Sequence, residues 1–380
     1  MIDTTKIRLD KSWFTVVDTA RYSSQIKAIL NDRDIPKPGS PYVAIRNATK
    51  AEKELHGYMP QITIRKSLNQ GLHHYADIQF SAPKMVFGNN FDEVTEEHLD
   101  YMAKELDRKL KLMGLRVHGG YARIRKAAVR SIHYGKNIIL ERYTVGEYLR
   151  MLQQCQLSKD KHTGFTHYQN GGTQFRYGTK QKGFTAYDKL KDLEHAQKRG
   201  QGYKTYEDDC YCQTSLFDEK EPQSSEVLRF EKRLNGRNNV YYTLKKLGFV
   251  EEREELILQD LFSQDIAKKV LLAELEFHKR RHLATMAFKE KDELKRTQEL
   301  IMLNPGARLK DIHSTMHLSG LLERYDYQSI ANMYSKYPRK FSYLIKCYRQ
   351  IKKPDGSKTD ILDFIEQQLQ DFSTVRLSDI

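Results

Sequence analysis

Residues 173–189 read T-Q-F-R-Y-G-T-K-Q-K-G-F-T-A-Y-D-K, in which two β-prone runs flank a short turn that contains glycine. This pattern predicts a β-hairpin formed by Thr173–Thr179 and Gly183–Lys189. Apolar residues then recur at helical spacing from Leu190 onward, so the second strand is predicted to lead into a helix. Tyr187 therefore lies at an element junction, where a rigid scaffold can present a reactive side chain.

Three further stretches alternate apolar and polar residues as half-buried strands do: His73–Ser81, Ala127–Tyr134 and Val227–Leu234. In the first, Asp77 is predicted to point away from the apolar layer. His133 and Glu231 take the corresponding polar positions in the other two. These three side chains are candidates for one polar face of a sheet.

Helical patterns lie between the strands. An amphipathic pattern follows Thr95, and Thr144 with Glu147 forms a T-x-x-E capping box. After about Gly248 the chain becomes mainly helical. The sequence therefore predicts an α+β domain at residues 1–250, with helices packed on an antiparallel sheet, followed by a mainly α-helical domain at residues 251–380.

The length of 380 residues predicts two domains, and the composition predicts a folded, globular protein. Hydrophobic residues make up 39% of the 380 residues and charged residues 30%, and no run of about 18 apolar residues is present. The N-terminal residues lack the apolar core of a signal peptide, so a cytoplasmic protein without a membrane partner is predicted. The four cysteines do not have zinc-ribbon or zinc-finger spacing, and reduced thiols are expected.

The net charge of +14 is unevenly distributed. Residues 108–142 contain ten Lys and Arg against one acid, whereas residues 200–226 contain two lysines against seven acids and are predicted to form a surface loop. Basic segments that also contain aromatic residues indicate a polyanion partner, with nucleic acid first and an anionic membrane surface as the weakest option. The alternative is a set of solvated lysine faces. The candidate DNA contacts in the first segment are Arg123, Arg125, Lys126 and Arg130.

Asp77, His133 and Glu231 provide oxygen and nitrogen ligands that suit Mg²⁺ or Mn²⁺, which would polarise a scissile phosphate. Tyr187 is the candidate nucleophile, and a phenol with a pKa of about 10 needs a metal or a base nearby. The alternative is that the two carboxylates are exposed strand residues and the histidine is satisfied within the sheet.

Several basic residues accompany the catalytic candidates Tyr187 and Glu231. Arg229 and Arg233 flank Glu231 on the same face of its strand and could hold a backbone phosphate, as could Lys189 next to Tyr187. Tyr134 and Tyr177 are candidates for a second nucleophile, with no geometric reason to prefer either.

Two histidine pairs have the i, i+4 spacing of a helical zinc site: His278 with His282, and His313 with His317. Neither pair contains the glutamate of the H-E-x-x-H motif, and no third ligand is evident. A solvated helix face is the preferred interpretation of both.

Four stretches, in order, carry a family resemblance: M-I-D-T at the N-terminus, S-A-P-K-M-V-F-G-N-N at Ser81–Asn90, F-T-A-Y-D-K around Tyr187, and V-L-R-F-E-K-R-L around Glu231. Over roughly residues 1–250 the chain resembles the filamentous-phage gene II/X replication proteins. It more distantly resembles plasmid rolling-circle initiators. His133 stands where many relatives have an aspartate, and the H-U-H motif of the wider nickase superfamily is absent.

The resemblance implies a metal-dependent enzyme that nicks one DNA strand at an origin, stays attached through a 5′-phosphotyrosine link and reseals the strand. The implied partners are single-stranded or supercoiled origin DNA, host replication proteins in a bacterial cytoplasm, and a second copy of the chain. A transposase or mobilisation relaxase would use the same chemistry, and a non-catalytic DNA-binding regulator would retain only the fold.

The helical domain is expected to add DNA contacts, and a helix-turn-helix within it is considered without an assigned turn. The candidate phosphate-binding or stacking residues there are Tyr334, Lys336, Arg339, Lys340, Arg349, Lys352 and Lys353.

Overall fold

The computed structural model describes residues 1–37, 39–68, 73–155, 167–169, 174–179, 182–193, 226–251, 255–283, 286, 292–354 and 360–380. The acidic segment at residues 200–226, predicted to be a surface loop, lies outside the described residues except for Glu226, as do Cys210 and Cys212. The strands in the described part are β1 (Ile2–Asp10), β2 (Phe14–Val16), β3 (Tyr42–Arg46), β4 (Gln61–Ser67), β5 (His73–Ser81), β6 (Leu115–Val117), β7 (Ala128–Leu140), β8 (His167–Gln169), β9 (Gln174–Gly178), β10 (Lys182–Asp188) and β11 (Glu226–Asn235).

The α-helices in the same ranges are α1 (Ile26–Leu30), α2 (Lys50–His56), α3 (Ala82–Phe87), α4 (Leu99–Leu112), α5 (Gly120–Arg125), α6 (Val145–Gln153), α7 (Arg237–Lys246), α8 (Leu258–Leu261), α9 (Gln264–Arg281), α10 (Glu293–Leu303), α11 (Leu309–Arg324), α12 (Tyr327–Met333), α13 (Pro338–Gln350) and α14 (Asp360–Asp371). Residues 189–193 are also helical. The protein is therefore α+β, as the sequence predicts.

Nine strands form one sheet in the order β3-β4-β5-β1-β7-β11-β10-β9-β8, and every pairing is antiparallel. The predicted hairpin is present as β9 and β10. Gly178 ends β9 with a φ of 108°, in the left-handed region, and a Cβ there would lie 2.3 Å from the Lys182 carbonyl oxygen. Only glycine suits this position, which explains where the hairpin turns.

The alternation along the strands divides the sheet into two faces. On one face, apolar residues such as Ile78, Ile7 and Phe230 are buried under helices, and they belong to the main hydrophobic core. We call the other face the polar face. It carries residues that are neighbours in the register of successive strands: Asp77, Arg8, Lys6, Ser131, His133, Arg233, Glu231, Arg229, Thr185, Tyr187 and Arg176. The alternation predicted for Asp77, His133 and Glu231 therefore places all three on one face.

The division between the two hydrophobic cores differs from the predicted boundary near residue 250. Helices α9 and α14 both contribute to the core under the sheet, through residues such as Leu271 and Ile365. A second core lies within residues 283–351 and joins α10 to α13. The chain thus leaves the sheet after α9 and returns to it at α14, because the apolar face of the sheet needs both helices to cover it.

His278 is buried on the apolar side of the sheet, in a polar network. Its Nδ1 lies 3.2 Å from the Tyr148 hydroxyl and its Nε2 lies 2.9 Å from the Tyr177 hydroxyl, which donates to Glu274. Glu274 also pairs with Lys232 at 2.5 Å. The predicted solvated face is therefore wrong for His278, although His313 and His317 are exposed as expected.

Tyr134 and Tyr177 are also buried, and neither is placed to act as a second nucleophile. Both lie on the apolar side, opposite to Tyr187, and the Tyr134 hydroxyl donates to the Leu261 carbonyl at 3.1 Å. Neither can reach a substrate on the polar face.

Burial lowers the pKa of His278 to about 4. Since the unfolded value is about 6.5, the unfolded chain binds this proton first, and stability falls as the pH drops below 6.5. At pH 5 we expect His278 to account for a loss of about 2 kcal/mol, and His278→Gln should lack this part of the loss. Chemical denaturation at pH 7 and pH 5 measures it, with exposed His313→Gln as the control. An unchanged pH dependence in His278→Gln would contradict the assignment.

Within the described residues, no helix has the length and apolar character needed to cross a bilayer. Cys155 and Cys347 are buried free thiols.

Candidate functional site

Tyr187 lies one residue before the end of β10, and the chain continues as a helix at residue 189. The Asp188 carboxylate caps this helix, because its Oδ1 accepts from the amides of Leu190 and Lys191, both at 3.1 Å. The predicted strand-to-helix junction is therefore confirmed. The cap and the strand ladder together fix the backbone that carries the tyrosine.

Strand β11 brings the other predicted catalytic residues next to Tyr187. In the register of β10 and β11, Tyr187 is opposite Arg229 and Thr185 is opposite Glu231, all on the polar face. Lys189 is buried, and its Nζ lies 5.6 Å from the centre of the Tyr187 ring. Residues far apart in sequence thus meet through one strand pairing.

Arg229 is a buried cation held by two side chains. Its Nη1 donates to the Asn137 Oδ1 at 3.0 Å, and its Nη2 donates to the Asp3 Oδ2 at 3.0 Å. Its Nε is buried without a hydrogen-bond partner. The Nε–H of this guanidinium is therefore available to donate a hydrogen bond beside Tyr187.

Gly135 provides the space for that guanidinium. It lies on β7 opposite Glu231, and a Cβ at Gly135 would be 2.6 Å from the Nη2 of Arg229 and 2.7 Å from its Cζ. We therefore expect Gly135→Ala to destabilise the fold by about 1–3 kcal/mol, because the arginine is fixed and cannot move aside. Chemical denaturation measures this. Gly146→Ala in α6, where the nearest atom is 3.8 Å away, is the control and should not be destabilising. Equal effects of the two substitutions would contradict the packing argument.

Glu231 is buried and fully engaged. The Arg233 Nε donates to its Oε1 at 2.7 Å, and the His133 Nδ1 lies 3.4 Å from the same oxygen. The His133 Nε2 lies 3.0 Å from the Asn235 Oδ1. Burial alone would raise the pKa of Glu231, but the charges of Arg233 and His133 outweigh burial and hold that pKa well below its usual value. The carboxylate is therefore ionised at neutral pH and serves to fix its two partners.

Three polar atoms near this pair of strands lack a partner. Among the described residues, the Thr185 Oγ1 and the Arg229 Nε are buried without a hydrogen bond, and the Tyr187 hydroxyl makes none. Burial, together with the nearby charges of Asp192 and Glu231, raises the pKa of Tyr187 well above 10. Two of these groups are hydroxyls and the third is a cationic donor, so the position suits an anionic ligand with several oxygen atoms.

Asp77 is on the polar face but far from Glu231. It forms a two-point ion pair with Arg8, whose Nε and Nη2 lie 2.7 and 3.0 Å from its oxygens. Strands β1 and β7 separate β5 from β11, and Arg8 is opposite Ala128, whereas Glu231 is opposite Gly135. Strand spacing and rise then place the two carboxylates roughly 25 Å apart. The predicted ligand set of Asp77, His133 and Glu231 is thus not assembled.

The residues described contain no group of three or more His, Cys, Asp or Glu side chains placed to hold a metal ion. The carboxylates that influence the pKa of Tyr187 are instead Asp192, Glu231 and Asp3. Asp3 is paired with Arg229, and Asp192 lies 3.6 Å from the Nζ of Lys189.

The basic residues predicted to contact DNA near residue 125 lie at the opposite end of β7 from Tyr187. The Arg125 Nη1 pairs with Asp100 at 2.9 Å, and Lys126 is exposed. Arg130, at a register irregularity between β1 and β7, has a pKa lowered by burial and by the charge of Arg8.

Arg123 lies with its guanidinium carbon 4.3 Å from the Trp13 ring centre.

Sequence reasoning did not identify Asp3, Asn137, Gly135 or Thr185 as site residues. Asp3 belongs to the M-I-D-T stretch, which is the only sequence signal for it. Nothing in the local pattern of Asn137 or Gly135 indicates that Arg229 will lie beside them, because that contact depends on the pairing of β7 with β11.

No protein-family model, curated protein or solved structure matches this chain.

Proposed function

We propose that this protein is a DNA nicking and joining enzyme that initiates rolling-circle replication, as the resemblance to gene II/X replication proteins implies, with Tyr187 as the nucleophile. The observation that carries the proposal is the cluster of unpartnered atoms on β10 and β11: the Tyr187 hydroxyl, the Thr185 Oγ1 and the Arg229 Nε. A phosphodiester supplies oxygen atoms that accept hydrogen bonds from the Thr185 hydroxyl and the Arg229 Nε. It also supplies the phosphorus atom that the Tyr187 oxygen attacks.

In the proposed reaction, the Tyr187 oxygen attacks the phosphorus and the bond from phosphorus to the 3′ oxygen breaks. The phenol loses one proton and the leaving 3′ oxygen gains one, so the products are a 5′-phosphotyrosine and a free 3′ hydroxyl. Resealing is the reverse transfer. Arg229 and Arg233 stabilise the negative charge that develops on the phosphate oxygens.

Glu231 acts as a positioning residue in this proposal. Its ionised carboxylate holds Arg233 and His133 on the polar face, and it is too weak a base to accept the phenol proton readily. Asp3 is a positioning residue too, because its carboxylate holds the Arg229 guanidinium in place. The positive charge of Arg229 favours the phenolate, and it acts against the burial that raises the pKa of Tyr187.

The metal in the proposal is Mg²⁺ or Mn²⁺, bound together with the DNA. The predicted protein ligand set does not fit, and no step above is routed through an ion. Mg²⁺ commonly combines one or two carboxylates with substrate phosphates, so the carboxylates nearest Tyr187 are the groups that would share it.

The proposed partners are origin DNA, as a single strand or a supercoiled duplex, host replication proteins and a second copy of the chain, in the cytoplasm of a bacterial host. A transposase or relaxase would use the same atoms on a different DNA target. A non-catalytic regulator would bind DNA through the basic polar face without cutting it.

The test uses DNA of the replicon that encodes the chain, as supercoiled plasmid and as tiled single strands labelled at either end, with Mg²⁺ or Mn²⁺. The expected result is a protein-linked band from the 3′-labelled strand alone on a denaturing gel. An adduct on the 5′-labelled strand would reverse the polarity and contradict the proposal. Binding without cutting in either metal would identify the regulator instead.

A further inference from the structure

The helical core at residues 283–351 contains a three-helix arrangement that the nicking chemistry does not use. Helix α11 packs along α13, and α12 is joined to α13 by the four residues Tyr334–Tyr337. The turn is closed by backbone hydrogen bonds, including Tyr337 N to the Tyr334 carbonyl at 2.7 Å. Two helices joined by a turn of three or four residues and supported by a third have the form of a helix-turn-helix.

Helix α13 has one buried and one exposed face. Leu344, Ile345 and Tyr348 pack into the second core. Arg339, Lys346 and Arg349 are exposed and recur at i, i+7 and i+10, so they form one stripe about 15 Å long on the outer face. The helix therefore presents a row of cations while its other face is anchored.

The positive charges of Arg339 and Lys346 are not balanced by an acid within the described part of the chain. Residues 335–353 contain seven Lys and Arg and no acid. Arg339 and Lys346 form no salt bridge within the described chain, whereas Arg296 and Arg308 of the same core pair with Glu323 and Asp311 at 3.3 and 3.0 Å. A solvated helix face usually mixes both signs of charge, and this one does not.

We propose that α13 is a recognition helix that binds the major groove of double-stranded DNA, at a site separate from the polar face of the sheet. A 13-residue helix fits that groove, and cations along its outer side meet the phosphates on the groove walls. The N-terminal end of α13, with Arg339 and Lys340 and the adjacent exposed Lys336, faces base edges in this docking mode. The inference does not rest on the Tyr187 chemistry.

The test measures fluorescence anisotropy of a labelled 24-base-pair duplex of mixed sequence, and of one of its strands, with the full chain carrying Tyr187→Phe to prevent cleavage. In that background the triple variant Arg339→Gln, Lys346→Gln, Arg349→Gln should raise the duplex Kd about tenfold or more. It should also flatten the salt dependence by about two to three in log–log slope, because each lost phosphate contact contributes about 0.9. Binding of the single strand should change less than twofold.

The matched control removes the same charge from exposed lysines of the sheet domain, as Lys27→Gln, Lys104→Gln, Lys246→Gln, and should change the duplex Kd less than twofold. Methyl green, a major-groove ligand, should displace the protein, whereas the minor-groove ligand netropsin should not. Equal effects of the two triple variants, displacement by netropsin alone, or equal losses of duplex and single-strand binding would overturn the proposal.

Cleavage by the otherwise wild-type triple variant separates this inference from the proposed function. Loss of duplex binding with retained single-strand nicking supports both. Loss of duplex binding in a protein that never nicks supports the recognition helix and rejects the nicking enzyme. If the triple variant still binds duplex and still nicks, the result supports the nicking enzyme and rejects the recognition helix.

Discussion

Tyr187→Phe is expected to abolish the covalent DNA adduct, with a fall in cleavage rate of about 10⁴-fold or more, because the substitution removes the only atom that forms the new bond to phosphorus. The fold should be unaffected, since the Tyr187 hydroxyl makes no hydrogen bond to the residues that the structure describes. Single-turnover cleavage of end-labelled DNA and thermal denaturation measure the two effects. DNA affinity should change little.

Tyr177→Phe is the matched control, with the opposite profile. Its hydroxyl contacts Glu274 and His278 in the buried network, so removing it should lower the free energy of unfolding by about 1–3 kcal/mol. Cleavage at a temperature where the variant is folded should be retained. An adduct that persists in Tyr187→Phe would show that another residue is the nucleophile, and its loss in Tyr177→Phe would move the site to the opposite face of the sheet.

Arg229→Met is expected to destabilise the fold by about 3–5 kcal/mol, because it leaves Asp3 as a partly buried charge without its partner and Asn137 without its donor. Chemical denaturation of the full chain measures the change. Arg339→Met, which removes an equally long cation from the exposed face of α13, is the control and should lie within about 0.5 kcal/mol of wild type.

The ion pair itself can be isolated from the rest of that loss. If Arg229 stabilises Asp3 as the structure indicates, Asp3→Asn should cost less in the Arg229→Met background than in wild type, by about 0.5–3 kcal/mol of coupling. Additive effects would mean that the two side chains do not interact in solution. A cleavage rate in folded Arg229→Met equal to that of wild type would argue against the proposed phosphate contact.

The two proposed DNA surfaces suit different forms of DNA. The polar face offers its reactive atoms along strands β10 and β11, where one separated strand can lie with its phosphates against arginines. The outer face of α13 has the shape and charge for an intact duplex. An initiator that holds duplex beside the place where it cuts a single strand needs both, and their variants separate the two activities.

Local sequence patterns predicted most of the strands that form the site and the face on which each side chain lies. Asp77, His133 and Glu231 are all on the polar face because side chains alternate strictly along a strand. The junction at Tyr187 was predictable for the same reason, since the period of the pattern changes there from two to that of a helix. The apolar face and the α+β class follow from these same short-range features.

Alternation says nothing about which strands are neighbours or how far one strand slides past another. Asp77 shares a face with Glu231 but is separated from it by two strands and seven positions of register, so it pairs with Arg8 instead. His278 lies within a charge-rich helical segment that predicts exposure. It is buried because its helix, α9, covers the apolar face of the sheet.

The sequence by itself determined the α+β class, most of the strands that form the site and the face on which each side chain lies, because these depend on residues within one or two turns or strand repeats. Tertiary structure alone decided that Arg229 lies over Gly135 between Asp3 and Asn137. It also decided that α14 returns to the core under the sheet. The physical reason is that strand order, register and helix docking are set by hydrogen bonds and packing between distant segments, and no local pattern encodes those partners.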